Sequence, residues 1–394
     1  MSRRTSLKIK YAFLILFSSL FIGVSVGVVN TIFGRVLLFI GEFRSHYFLW
    51  LIPFLGVVGL VIIWFYHRLG LSLQKGMGLV LATGRKENNH IPLRLVPLVA
   101  ISTWLTHLFG GSAGREGVAV QIGATLSHQI GKRFKLEDSS QIFLVIGIAA
   151  GFAGLFQTPL AAFFFAFEVL KLYKPKWWMT LPALIAALTA SQTSHLLGLE
   201  KFTHPLDFVT ISSQQWLALL LLGIAFGYIG RMFIFLLKKS KFYLEKWVPN
   251  PFLKIFLGGI GLSILMILLF QGRYAGLGTN LIDASLNSQE VLAYDWLLKI
   301  ILTCLTLAIG FQGGEVTPLF AIGASAGVIM AQFLGLPLAL AAGLGYMAVF
   351  GSATNTLIAP IFIACEVFGY QYILLYAPVM VIAHLCNRKA SIYQ

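Results

Sequence analysis

Charge is what this sequence has least of. Only 11% of its 394 residues are Asp, Glu, Lys or Arg, and just 14 of them are acidic. A soluble domain carries about a quarter charged residues, so a water-soluble globule is excluded. Cysteine is scarce too. Cys304, Cys365 and Cys386 lie singly in apolar stretches, without the spacing of a disulfide framework or a zinc site. The histidines form no metal-ligand pattern, and no metal or other cofactor is expected. The alternation of apolar and polar residues that marks a transmembrane β-barrel is missing from the long apolar segments. So is a leader-type cleavage site: "MSRRTSLKIK" runs into an apolar stretch far longer than a signal-peptide core.

What the chain does have is apolar length. It is 58% hydrophobic, with a mean hydropathy of +0.85. Runs at 11–42, 49–65, 214–237 and 252–270 approach or exceed the ~20 residues that cross a hydrocarbon core. An all-α, multi-pass integral membrane protein follows. The net charge of +15 does not imply a nucleic-acid partner, because the basic residues form no single patch. They gather between apolar runs, in "RRTSLKIK", "KRFK", "KLYKPK", "KKSKFYLEK" and "NRK". The connectors 190–213 and 271–290 hold only Lys201 and Arg273. That asymmetry predicts cytoplasmic termini by the positive-inside rule, with the lipid bilayer as the surrounding partner.

The chain also repeats itself. "GGSAGREGVAVQIGA" (110–124) aligns without a gap on "GFQGGEVTPLFAIGA" (310–324), and "FFFAFEV" (163–169) matches "IFIACEV" (361–367) at nearly the same offset. Two matched pairs in the same order indicate duplication. The expected organisation is a first half at 1–200, a connector at about 201–213 and a second half at 214–394, with no soluble regulatory domain. Paired halves of this kind are a feature of transporters built from structural repeats.

Several apolar segments are too short to span and are broken by Gly or Pro: 77–83, 117–130, 159–170, 279–286, 317–333 and 355–367. Non-helical backbone is tolerated at membrane depth only inside protein or beside water. Glycine-led helix starts present unpaired N–H groups and a partial positive charge, which together suit an anion. Three such starts are "GMGLV" (76–80), "GREGV" (114–118) and "GGEVTP" (313–318).

From about residue 20 onward the chain resembles the CLC family of anion channels and anion/proton exchangers. "GSAGREGVAVQIGA" is similar to its GxxGREGP signature, "GFAGLFQTPLAAFFFAFEVL" (151–170) to the helix that follows, and "FQGGEVTPLFAIGASAG" (311–327) to its GGxFxP segment. The resemblance implies a homodimer of subunits with two inverted halves, many short and tilted helices, and one anion path per subunit. It also implies that Glu116 is the mobile carboxylate that alternates with the anion and carries protons.

The departures narrow the reading. Met77 replaces the usual Ser of GSGxP, Val118 replaces the Pro of GREGP, and Val169 occupies the place of the inner proton-relay glutamate. Glu315, Val316 and Thr317 stand in the GGxFxP segment. This set resembles the fluoride/proton antiporter branch, CLC-F. The resemblance implies export of fluoride from a bacterial cytoplasm, driven by protons. Its implied site comprises Glu116 and Glu315 as carboxylates, with Met77, Gly78, Gly114, Arg115, Gly117, Val118, Val316, Thr317 and Tyr393 about the anion.

Each candidate has a plainer alternative. Glu116 could be fixed in an ion pair with Arg115, although adjacent helical residues point in different directions. Glu315 could simply complement a helix dipole. Met77 could fill space, and Tyr393 could serve structure alone. Glu168 and Glu366 are read as structural and Asn355 as a capping or satisfied interior amide. A chloride exchanger or chloride channel of the same fold is the competing function. An intramembrane serine protease is the remote one, because "GASAG" (323–327) matches GxSxG. That motif needs a strand–turn–helix setting, whereas Ser325 should bond its own helix backbone.

Overall fold

A computed structural model describes the chain apart from residues 1–2, 89, 135–138, 173–176, 214, 389 and 394, with backbone alone at 3–12, 71 and 177. Among the described residues regular structure is helical, and the β pairing present is one isolated bridge.

The helices are α1 (Arg3–Leu51), α2 (Leu55–Leu69), α3 (Met77–Gly84), α4 (Leu95–Leu108), α5 (Glu116–Gly131), α6 (Ser139–Phe156), α7 (Pro159–Val169) and α8 (Trp177–Leu196). They continue as α9 (Gln215–Trp247), α10 (Pro251–Leu268), α11 (Thr279–Leu286), α12 (Asp295–Ile309), α13 (Val316–Leu334), α14 (Leu338–Thr354), α15 (Ile358–Phe368) and α16 (Ile373–Asn387). Each short apolar segment expected from the sequence emerges as a separate helix, and the chemistry of each break is local. Gly76, at φ +50°, precedes α3, and Gly278, at φ +86°, precedes α11. Both backbones take a left-handed turn that costs glycine least. Gln157 takes φ 55° between α6 and α7, where Pro159 then starts the new helix. Asn355 caps α14 in the left-handed conformation, the first of the two roles the sequence offered for it.

Five helical stretches among the described residues are long and apolar enough to cross a membrane. They differ in surroundings. The apolar window of α6 is 83% buried in protein and that of α10 only 28%. Accordingly α6 is apolar on every side, while α10 turns Leu253, Leu257, Ile264 and Leu268 outward. Outward leucines are the side chains a hydrocarbon solvent favours.

By compactness the chain divides into two interleaved units. The first comprises Met1–Arg35, Ser72–Pro97 and Val118–Phe202; the second comprises Val36–Leu71, Leu98–Gly117 and Thr203–Gln394. Within the first, α5 lies against α6 so closely that a Cβ on Gly123 would fall on the Gly147 carbonyl. Within the second, α13 and α14 cross in the same way: a Cβ on Gly323 would fall on the Gly345 carbonyl. Small residues let helix backbones approach, which is how helices associate where no hydrophobic drive separates protein from lipid. Gly123 and Gly323 stand two hundred positions apart and Gly147 and Gly345 stand 198 apart, the same two offsets that align the two pairs of repeated motifs.

Candidate functional site

The site is built on a backbone junction in the second unit. Gly114 and Gly314 face each other as an antiparallel bridge, with N–H to O=C distances of 2.5 and 2.8 Å. No side chain fits there. A Cβ on Gly114 would stand 2.8 Å from Pro318, and one on Gly314 would stand 2.9 Å from the Gly117 nitrogen. These glycines therefore hold the starts of α5 and α13 edge to edge.

Glu116 is the first residue of α5 and is wholly buried. Its Oε2 does not turn to its own helix. It accepts from the Thr317 backbone N–H at 3.2 Å and from the Thr317 hydroxyl, both in the first turn of α13. The carboxylate thus occupies the electropositive end of a helix nineteen residues long. The Arg115 N–H also donates to Oε2 at 3.4 Å, while Oε1 has no hydrogen-bond partner among the described residues. One oxygen is held and the other is left open.

Arg115 does not point away as its neighbour relation suggested. Its Nε lies 3.5 Å from Glu116 Oε1, an ion-pair distance without a hydrogen bond. The helix rule fails here because α5 begins at Glu116, so Arg115 sits in the bend before it. The contact is a loose charge pairing. The direct hydrogen-bond donors to the carboxylate are Thr317 and the Arg115 backbone.

Glu315 caps the N-terminus of α13 without a side-chain capping bond, and Val316, buried, is the first residue of that helix. Gly117 packs on Gly314, where its Cβ would lie 3.3 Å from the Gly314 Cα. Tyr393 belongs to the tail beyond α16. That tail is tied to the end of α14: Asn387 donates to the Ser352 carbonyl at 2.6 Å, Ser391 to that of Thr354 at 2.9 Å, and the Ile392 N–H to that of Ala353 at 3.0 Å. Burial pushes the Tyr393 phenol well above its ordinary range, and the charges of Glu315 and Glu116 push it the same way. The phenol therefore stays protonated and senses both carboxylates.

Met77, Gly78 and Val118 belong to the first unit. Met77 opens α3, with Gly78 next, and both Met77 and Val118 are buried. The Gly76 turn before them faces Gln121 of α5, a buried amide whose Oε1 has no hydrogen-bond partner among the described residues. Nothing in the sequence beyond its place in the repeated motif singled out Gln121. Ser325 bonds the Ala321 carbonyl one turn back at 2.7 Å, inside α13 and away from any nucleophile-elbow geometry. Among the described residues no group of three His, Cys, Asp or Glu side chains is arranged to hold a metal.

Motif reading also missed the residues that brace the junction. Ser112 N–H donates to Thr306 Oγ1 and Gln312 N–H to Thr106 Oγ1, each at 3.2 Å. These two bonds map onto one another by the repeat offset. Sliding the sequence against itself would have paired Thr106 with Thr306, but nothing local marks either as a brace.

A sequence model described as "voltage gated chloride channel" matches residues 58–388. A chloride/fluoride channel protein of Pseudomonas syringae pv. tomato is 36% identical over 355 residues, covering 88% of this chain and 77% of that protein. The crystal structure of a CLC-type fluoride/proton antiporter superposes with a TM-score of 0.94 at 50% identity, covering 98% of each chain. A slow cyanobacterial Cl−/H+ antiporter shares the fold, with a TM-score of 0.84 at 20% identity and 96% of each chain covered. The two-glycine junction, the Glu116 start of α5 and these matches lead to one conclusion: the chain belongs to the CLC family of voltage gated chloride channels and their exchanger relatives.

Proposed function

We propose that the protein is a fluoride/proton antiporter that exports fluoride across a bacterial cytoplasmic membrane at the expense of protons moving inward. One observation carries the reading: the Glu116 carboxylate lies buried on the N-terminus of α13, where a small anion would find the same two Thr317 donors. The half-identical fluoride/proton antiporter supports the choice of ion.

Fluoride and the carboxylate compete for that helix end. With the carboxylate in place the anion path is closed. Fluoride arriving there takes over the N–H and hydroxyl donors. A carboxylate that has lost those donors crosses apolar surroundings more cheaply with a proton than without one. The protonated side chain swings off, releases its proton on the other side, and returns to expel the ion. Glu315, at the start of the same helix, serves the inner leg, with the Tyr393 hydroxyl beside it. Met77, Gly78 and Val118 keep the anion-binding role that the family resemblance gives them, and within the second unit Gly114, Gly117 and Val316 line the junction beside Glu116. The working unit is a homodimer with cytoplasmic termini, and its inverted halves are 1–200 and 214–394.

The test is flux from proteoliposomes loaded with fluoride or chloride, recorded with ion-selective and pH electrodes together. Fluoride release accompanied by proton uptake is expected from the wild type. Glu116→Gln, which mimics the protonated side chain and cannot titrate, should abolish the coupled proton signal. Chloride efflux with negligible fluoride movement would overturn the choice of ion, and coupled pumping by Glu116→Gln would overturn the carrier.

A further inference from the structure

Lys299, on α12, has no solvent exposure and takes no part in the scheme above. Its ammonium donates to Ser112 Oγ at 2.9 Å, the Tyr274 carbonyl at 2.9 Å and the Gly276 carbonyl at 2.8 Å. All three protons are used, and among the described residues none goes to a carboxylate. A buried ammonium on neutral acceptors is costly, and an apolar side chain of similar volume is often no less stable.

What those acceptors belong to is informative. Ser112 lies in the extended segment that leads to Glu116, four residues before it. Gly276 lies in the turn ahead of α11, and that turn pairs with the same segment: Gly276 N–H donates to the Gly111 carbonyl at 2.9 Å and Ala113 N–H to that of Gly276 at 3.3 Å. Lys299 sits over this pairing. Successive turns of α12 continue the grip, with Thr303 sharing a 2.8 Å hydrogen bond with Ser112 Oγ and Thr306 accepting its N–H. One turn earlier, Asp295 accepts the Tyr274 hydroxyl at 2.7 Å and binds Arg273 through both carboxylate oxygens, at 3.0 and 2.6 Å. A single helix thus holds the turn with its first rungs and the Glu116 segment with its later ones.

The repeat provides an internal control. Two hundred positions earlier, Thr103 and Thr106 match Thr303 and Thr306, and Thr106 braces Gln312 as Thr306 braces Ser112. The counterpart of Lys299 is Val99, buried and unable to donate. The threonine brace is common to both segments, and among the described residues no ammonium donates a hydrogen bond to the second. The ammonium appears only beside the copy that delivers Glu116.

We propose that Lys299 is a positioning residue for the Glu116 gate: by bonding Ser112 and the 274–276 turn together, it holds the segment from which Glu116 reaches Thr317. The assignment rests on the antiport reading for its consequence, though the clamp itself is independent of which ion moves.

The test compares wild type, Lys299→Met, Ser112→Ala and the double variant in proteoliposomes, reading protons moved per fluoride. A loss of active protein lowers both fluxes and leaves their ratio alone. A mispositioned gate lets fluoride pass with fewer protons, so the ratio should fall about twofold or more in Lys299→Met, with the double variant no worse. Amide hydrogen exchange is read on the same proteins. Losing the charged bonds should speed exchange at 111–117 on the order of tenfold, and leave 311–317 unchanged. Should Lys299→Met fail to fold, Ser112→Ala, which keeps the lysine, decides by the same two readouts. An unchanged ratio with merely lower flux would sink the proposal. Should the wild type carry no fluoride, the antiport reading fails by itself, and exchange then decides the clamp: acceleration confined to 111–117 sustains it, and none removes it.

Discussion

Replacing Thr317 with Val removes one hydroxyl from the site while nearly preserving side-chain shape. In the structure that hydroxyl donates to Glu116 Oε2, and the Thr317 backbone N–H, 3.2 Å from the same oxygen, remains after the change. A hydrogen bond to a charged acceptor contributes about 1.5–3 kcal/mol. With the amide still in place the lower end applies, about 1.5 kcal/mol or roughly tenfold in affinity. Carboxylate and fluoride would both lose this donor, and an equal loss by two competitors leaves their competition unchanged. The measurement therefore belongs in a background without the carboxylate. Fluoride is titrated calorimetrically into Glu116→Ala and into Glu116→Ala/Thr317→Val, in detergent at fixed pH and salt. The double variant should bind about tenfold more weakly, and Thr317→Ser should restore the affinity. Affinities agreeing within about twofold would show that the hydroxyl is not a ligand of the ion, and the competition scheme would lose its geometric basis.

Two other consequences are open to measurement. Tyr393→Phe should slow fluoride flux by a constant factor from about pH 5 to about pH 9: a phenol pushed upward by burial and two carboxylates is protonated throughout that range. A factor that changes across the range would mean that the phenol titrates there. Gly345→Ala should destabilise the α13–α14 crossing by about 1–3 kcal/mol, because the new methyl meets the Gly323 carbonyl; thermal unfolding in detergent should register it without change in proton-to-fluoride ratio.

Much of the architecture can be read from punctuation. The segment 279–286 matches α11 residue for residue, 77–83 stops one residue short of the end of α3, and 117–130 and 317–333 differ from α5 and α13 by one residue at each end. Glycine and proline mark those limits by their own backbone chemistry, which needs no tertiary information. The last break was less legible: α15 starts at Ile358 where the apolar segment began at 355, because Asn355 is spent on capping α14. Glu116 stood out as a carboxylate in oil, yet its partner did not. Thr317 lies 201 positions away, and the sequence showed only that its helix start was one of several able to receive an anion. Arg115 was misjudged since the rule applied to it presumes that it lies within a helix, whereas α5 begins one residue later, at Glu116. Ser112, Lys299 and the paired threonines were invisible for another reason: common residue types without motif spacing acquire meaning only when folding brings them across a sequence distance of nearly two hundred.

The rung between Gly114 and Gly314 limits which motions are inexpensive. Two main-chain hydrogen bonds would have to break before the starts of α5 and α13 could part, and the seat of Glu116 on Thr317 would go with them. Rotating one glutamate about its own single bonds asks for no such rupture. Under the antiport proposed above, such a junction favours turnover by a swivelling side chain over a parting of the two helix starts, so spectroscopic labels beside Gly114 and Gly314 should stay at a nearly constant separation while ions cross.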